Sequence, residues 1–134
     1  MLNILYRINP PITNIELNTL FSAAWTDHQP SDFHPVLNHS LAYIGAYDAG
    51  RLVGFINLAW DGGIHAFLLD TTVHLDAQRQ GIGSELVRRA VDVARERGIE
   101  WLHVDFEPHL LGFYRACGFR QTEAGLMRLK GSSE

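Results

Sequence analysis

The sequence predicts a mixed α/β domain, α+β by stricter naming, with a mostly antiparallel central sheet and one parallel βαβ crossover. Three observations lead there. Residues 41–73 hold three strand-like apolar runs separated by short glycine-containing turns, the pattern of an antiparallel meander. Residues 83–97 switch to helical spacing and are followed by a further strand-like run, WLHVDF (101–106), so strand, helix and strand follow in order. The chain has 134 residues, enough for one core and too few for two, so residues 1–134 are expected to form a single domain.

Taken in order, residues 2–8 (LNILYRI) read as a first strand closed by Pro10 and Pro11. Thr13 is the expected N-cap of a helix carrying Ile15, Leu17, Leu20, Phe21 and Ala24, with Glu16 placed to complete a capping box. DHQPSDFHP (27–35) reads as a loop, with a short helix around Phe33–Asn38. LAYIGAY (41–47), the turn DAG (48–50) and RLVGFINLAW (51–60) form a hairpin; DGG (61–63) is the next turn and IHAFLLDTTV (64–73) the third long strand. On the following helix Leu86, Val87, Ala90, Val91 and Ala94 share one face. The pairs Glu85–Arg89 and Arg88–Asp92 fit the spacing of solvated ion pairs on the other face, and Gly98 ends the helix. After the strand at 101–106, HLLGFYRACGF (109–119) is helical up to Gly118, a last strand pair is expected in 119–130, and GSSE is a loose tail.

Composition narrows the function classes. Hydrophobic residues make up 46% and charged residues 19%, which suits a globular protein, and the net charge of −4 favours neither nucleic acid nor an anionic membrane surface. One cysteine, Cys117, excludes a disulfide framework and a Cys-based zinc site, and the seven histidines show no ligand spacing, so no metal is expected. No apolar run could span a bilayer and MLNILYRINPP lacks the features of a signal peptide, which makes a soluble cytoplasmic protein the expectation.

The stretch HLDAQRQGIGSELV (74–87) carries the most specific signal. It places Gly81 and Gly83 where a strand hands over to a helix. A dinucleotide fingerprint would need a third glycine where Leu86 stands, and a phosphate-binding P-loop would need a lysine, whereas Lys130 is the only lysine in the chain. Two readings remain: a tight turn without a ligand, or a loop whose amides converge at a helix N-terminus and hold an anion without lysine. On the second reading a Cβ at 81 or 83 would hold a phosphate away.

Gln78-Arg79-Gln80-Gly81-Ile82-Gly83 resembles the Gln/Arg-x-x-Gly-x-Gly/Ala signature of the GNAT superfamily of acyl-CoA-dependent N-acyltransferases. Phe113-Tyr114-Arg115-Ala116-Cys117-Gly118-Phe119 is similar to the family's downstream Phe-Tyr-x-x-x-Gly-Phe segment. The two stand in the family's order with a strand between them, and the resemblance covers about residues 41–130. It implies a GNAT-like fold and acetyl-CoA as co-substrate. Its pyrophosphate would lie on the amides of Arg79, Gln80, Gly81, Ile82, Gly83 and Ser84, and its pantetheine arm along the backbone of Val73, His74 and Leu75. It further implies that the strand ending there splays from the strand at 101–106, that Tyr114 protonates the departing thiolate, and that a backbone N–H such as that of Val73 polarises the carbonyl. The sequence departs from the family where many relatives carry Asn, six positions ahead of Phe113: Glu107 stands there, facing either the cofactor arm or the amine, and Leu110 replaces a frequent Ala.

Other readings accompany these. Tyr114 by itself also fits a core tyrosine on an amphipathic helix, and Cys117 reads as a small buried hydrophobe. Some relatives place a catalytic acid where this chain has Phe67, so Asp70 is the candidate general base, with His74 and His103 behind it; a structural, hydrogen-bonded Asp70 is the competing reading. AWTDHQPSDF (24–33) and AWDGGIH (59–65) bring aromatic and acidic groups together, which suits an amine on an apolar body and makes Trp25, Trp60 and Asp61 substrate-site candidates. The expected activity is transfer of an acetyl group from acetyl-CoA to a primary amine of a small molecule or peptide. The alternative is a non-catalytic acyl-CoA-binding sensor or interaction module. Neither nucleic acid nor membrane is an expected partner, and a homodimer is allowed.

Overall fold

The computed structural model describes residues 3–131; Leu2 of the expected first strand and residues 132–134 of the tail lie outside that range. Five strands form one sheet in sequence order: β1 (Ile4–Ile8), β2 (Ser40–Asp48), β3 (Arg51–Trp60), β4 (His65–Val73) and β5 (Trp101–Val104). The first four pair antiparallel and β4 pairs parallel with β5. That is the expected mixed sheet with its single crossover.

Helices cover both faces. On one lie α1 (Asn14–Ala24) and α2 (His34–Asn38). Thr13 caps α1 in a capping box: its hydroxyl accepts the Glu16 N–H at 3.1 Å while its own N–H donates to the Glu16 carboxylate at 3.0 Å. Leu17, Leu20 and Phe21 are buried against Tyr47, Leu52 and Phe55 of the sheet. Ile15 is exposed, because two residues on a helix separate it from Leu17 by about 200°. The other face carries α3 (Ile82–Glu96) and the short α4 (Leu111–Ala116). Ile82, Leu86, Val87, Ala90 and Ala94 of α3 pack on Ile44, Val53, Ile56, Ala66 and Leu68. On the solvent side Glu85 pairs with both Arg88 and Arg89, and Arg88 also reaches Asp92 at 3.0 Å.

Three expectations need correction. The strand after α3 stops at Val104 rather than at residue 106, and helix α4 begins at Leu111, after a 3-10 turn, Pro108–Leu110. The strand pair expected in 119–130 is not formed: residues 120–130 have no regular structure and are exposed. β4 and β5 thus leave one face and one edge partly uncovered, and that is the end of the sheet where the candidate site lies.

Candidate active site

The site begins where two parallel strands part. β5 pairs with β4 only over His65–Leu68, matched to Trp101–Val104. Beyond Leu68, β4 runs on to Val73 with no strand on that side, so a wedge opens between Leu69–Val73 and the chain leaving β5. Backbone groups along such an edge are free to take an extended ligand as another strand would.

A β-bulge shapes the open half of β4. Asn57 faces Leu69 and Phe55 faces Thr72, so Asp70 and Thr71 together oppose Ile56 alone. Asp70 adopts φ +58°, a left-handed conformation that non-glycine residues rarely hold. The extra residue reverses the side-chain alternation. Before the bulge Ala66 and Leu68 point toward α3, whereas after it Thr71 reaches the Tyr114 hydroxyl and Val73 lies beside Gly83 on that same side. Thr72 therefore turns to the α1 face. There its hydroxyl accepts the indole N–H of Trp25 at 3.2 Å and donates to the Asp70 carbonyl at 2.9 Å.

Tyr114, on α4, fills the back of the wedge. It is 6% exposed, stacked on Phe106 at 4.8 Å and flanked edge-on by Phe113 and Phe119. Burial pushes its phenol above the ordinary tyrosine value, with contact to Thr71 pulling it partly back, so it holds its proton at neutral pH. Cys117, one turn on, is half-buried with its thiol also pushed up by burial, the opposite of an activated nucleophile. Asp70 is exposed on one side, and the protein mass behind it raises its carboxyl above the ordinary value. Solvent on its open side limits that push.

The loop from 78 to 84 closes the wedge at the end of β4. Gln78 donates from its side-chain amide to the Val73 carbonyl at 3.1 Å, tying the loop to the strand. Arg79 and Gly81 take left-handed φ values of +64° and +80°, and Gly81 caps α3 without a side-chain bond. Glu85 donates to the Gly81 carbonyl at 3.0 Å, so the amides ahead of it, Ile82, Gly83 and Ser84, are the helix's unpaired donors, at the positive end of its dipole. The two glycines have different reasons. At Gly81 a Cβ would meet nothing within 4 Å, and glycine is there for its backbone conformation. At Gly83 a Cβ would sit 3.6 Å from the Phe113 ring and 3.8 Å from Val73, so alanine fits and anything larger fills the gap between α4 and β4.

The other sequence candidates fall in three places. His74 donates its N–H to Val53 and accepts from Asp76 at Nδ1, while Leu75 opens a 3-10 turn, so this segment is tied to the sheet and to itself. Glu107 is exposed where the chain leaves β5, on the far side of the wedge from β4. Trp60 and Asp61 sit at the β3–β4 hairpin tip, four residues before Asp70 along β4 when counted from Ala66, the partner of Trp60. Asp61 accepts from the N–H groups of Gly63 and His65, bonds that lower its pKa and commit it to the turn. The structure thus brings Trp25 to the bulge and leaves Trp60 and Asp61 at the tip. His103 is hydrogen-bonded to His65 at 2.8 Å and stacked on Phe67, on the exposed face of β4 and β5. Sequence reasoning missed Thr71 and Thr72; the signal was DTT, a polar triplet inside an apolar strand.

Comparison with known proteins identifies the family and the fold. The family model described as acetyltransferase (GNAT) family matches residues 9–119. The chain is 32% identical over 108 residues to serotonin N-acetyltransferase 2, chloroplastic, of Oryza sativa subsp. japonica, covering 77% of this chain and 54% of that protein. The chain spans between about half and two thirds of the length of the first curated relatives it matches. Among solved structures, a GNAT family acetyltransferase of Streptococcus pneumoniae TIGR4 superposes with a TM-score of 0.76 at 27% identity, covering 96% of this chain and all of that one. The aminoglycoside N-acetyltransferase AAC(6')-Iy, solved with CoA, has the same fold at a TM-score of 0.74 and 17% identity, over 97% of this chain and 96% of that one. The chain belongs to the acetyltransferase (GNAT) family.

Proposed function

We propose that this chain transfers an acetyl group from acetyl-CoA to a primary amine carried on an apolar or aromatic body, in a small molecule or a peptide. The observation that carries the reading is the wedge between β4 and β5, with Tyr114 at its back and the amide-lined N-terminus of α3 at its end. The open edge of β4 beyond Leu68 suits an extended pantetheine arm, and the free amides of Ile82, Gly83 and Ser84 suit its pyrophosphate. The thioester supplies an activated acyl group with a thiol leaving group. Asp70 takes a proton from the incoming ammonium, and the neutral amine attacks the carbonyl directly. A backbone N–H on the open edge of β4, that of Val73, stabilises the oxyanion. As the carbon–sulfur bond breaks, Tyr114 gives its proton to the thiolate, the new amide nitrogen sheds its remaining extra proton to solvent, and exchange with solvent reprotonates Tyr114 and deprotonates Asp70.

Acceptor chemistry is read from the α1 face of the wedge. Trp25 is half-exposed beside the bulge, and Phe67 and Leu69 lie exposed on the same face of β4. An amine on a flat apolar body would rest on these groups with its charge toward Asp70. The rice relative, named for an indole-bearing amine, supports that class. The cytoplasmic location expected from the sequence remains part of this proposal, although that relative is named as chloroplastic. The test is CoA release from acetyl-CoA across a panel of amines, with Tyr114→Phe alongside. Amine-dependent release that favours aromatic amines and slows in the variant is expected. CoA binding without turnover for any amine would make the chain an acyl-CoA sensor instead.

A further inference from the structure

The bulge in β4 carries a buried polar group that no step of the reaction uses. Thr72 is only 3% exposed. Its hydroxyl lies between the indole N–H of Trp25 at 3.2 Å and the backbone carbonyl of Asp70 at 2.9 Å. An indole N–H can only donate and a carbonyl can only accept. The hydroxyl has a single proton, so the direction of both bonds is fixed: it accepts from Trp25 and gives its proton to Asp70. Thr72 is therefore a one-way link between the end of α1, where Trp25 is the C-cap, and the left-handed residue of the bulge.

Asp70 needs such a link. Its φ of +58° is a conformation that side chains rarely adopt, and the bulge takes it out of the register between β3 and β4. The bond from Thr72 reaches back across the Asp70–Thr71 peptide and holds its carbonyl in place. Fixing that peptide fixes the backbone of Asp70, and with it the direction in which the carboxylate leaves the strand. Thr71 stands apart from this link, since it meets Tyr114 on the opposite face. We propose that Thr72 is a positioning residue, its hydroxyl oriented by Trp25 and holding the left-handed turn that aims Asp70 at the acceptor amine, a role that rests on the reading of Asp70 as the base. Trp25 then serves twice: its ring carries the apolar body of the acceptor, and its N–H keeps the base in register. An amine that displaces the ring loosens the base with it, so selection among acceptors acts on kcat as well as on KM.

Three variants of the full chain separate the hydroxyl from the rest of the site, read by steady-state kinetics with an aromatic amine and by NMR. Thr72→Val keeps the shape and loses both bonds, Thr72→Ser keeps the hydroxyl, and Trp25→Phe keeps a ring and loses the N–H. Thr72→Val is expected to lower kcat by about tenfold or more with KM for acetyl-CoA at its native value, and Thr72→Ser to bring kcat back to within about twofold. Trp25→Phe should lower kcat by about threefold and raise KM for the amine. The carbon shifts of Asp70, which report its backbone angles, should stay native in Thr72→Ser and move toward extended values in Thr72→Val. Native kcat in Thr72→Val would overturn the proposal, and so would a Thr72→Ser variant as slow as Thr72→Val. A native chain that turns over no amine would count against the proposed function alone. The spectra then decide the link, and Asp70 shifts unchanged in Thr72→Val would overturn it.

Discussion

The two walls of the wedge are made of different material. The wall at 78–84 is backbone, set by one continuous segment in which Gln78 ties the loop to Val73 and the helix N-terminus presents its amides. The wall at the bulge is assembled from side chains, with Trp25 joined to Thr72 across 47 residues of sequence. On the proposed function the first kind of wall would bind what any acyl-CoA has in common, and the second would select among acceptors and could change without disturbing the first. Family resemblance in the loop therefore speaks for the donor and leaves the acceptor to be read from the fold.

Substitutions sharpen that contrast when each is read on donor and acceptor separately. The largest effect is expected for the proton carriers between the walls. Tyr114→Phe should lower kcat by about 10²–10⁴-fold with little change in CoA affinity, by stopped-flow or steady-state assay. Asp70→Asn should lower kcat by about 10²-fold and also alter the pH profile. The carboxyl of Asp70 is raised above its ordinary value and must be ionised to accept a proton, so activity in the native chain falls as pH drops through that raised value. The variant should lose that acid limb; an unchanged limb would remove Asp70 from the mechanism.

Next come the walls themselves. Gly83→Leu, whose side chain must press the first turn of α3 away from Phe113 and Val73, should weaken CoA binding by about tenfold or more, or ~1.4 kcal/mol, and Gly83→Ala, whose methyl fits between them, should bind nearly as the native chain does. Equal loss in both would mean that the amides do not depend on how α3 seats against α4 and β4. Trp25→Leu should raise KM for aromatic amines several-fold, roughly 1 kcal/mol, and leave CoA affinity untouched. The smallest effect belongs to neither wall. Glu85 is held near a pKa of about 2 by Arg88 and Arg89. A lowered carboxylate stabilises the fold above its unfolded value near 4.5 and loses that contribution as pH falls toward 2. The pair is partly exposed, so Glu85→Gln should reduce unfolding free energy at neutral pH by under about 1 kcal/mol in urea titrations.

Much of the fold was legible because its signals are local. The capping box at Thr13, the three-strand meander and the apolar face of α3 each need only near neighbours in the chain. The bulge at Asp70 was not legible, since nothing in FLLDTTV says which residue is extra; that is decided by how β3 pairs across from it. Trp25 and Trp60 stand in similar sequence surroundings, each preceded by Ala and followed within two residues by Asp. Only the packing of α1 onto β4 separates the tryptophan beside the bulge from the one at the hairpin tip. The strand pair expected in 119–130 did not form: alternation gives a segment the capacity to be a strand, and residues 120–130 pair with no edge of the sheet.

Calorimetric titration of CoA beside pantetheine tests the backbone cradle most directly, because the two ligands share the arm and differ by the phosphates. CoA should bind at least about tenfold more tightly than pantetheine, and Gly83→Leu should narrow that ratio by weakening CoA. Equal affinities, or no CoA binding at all, would contradict the assignment of the 78–84 loop as a phosphate site and reduce its glycines to a turn.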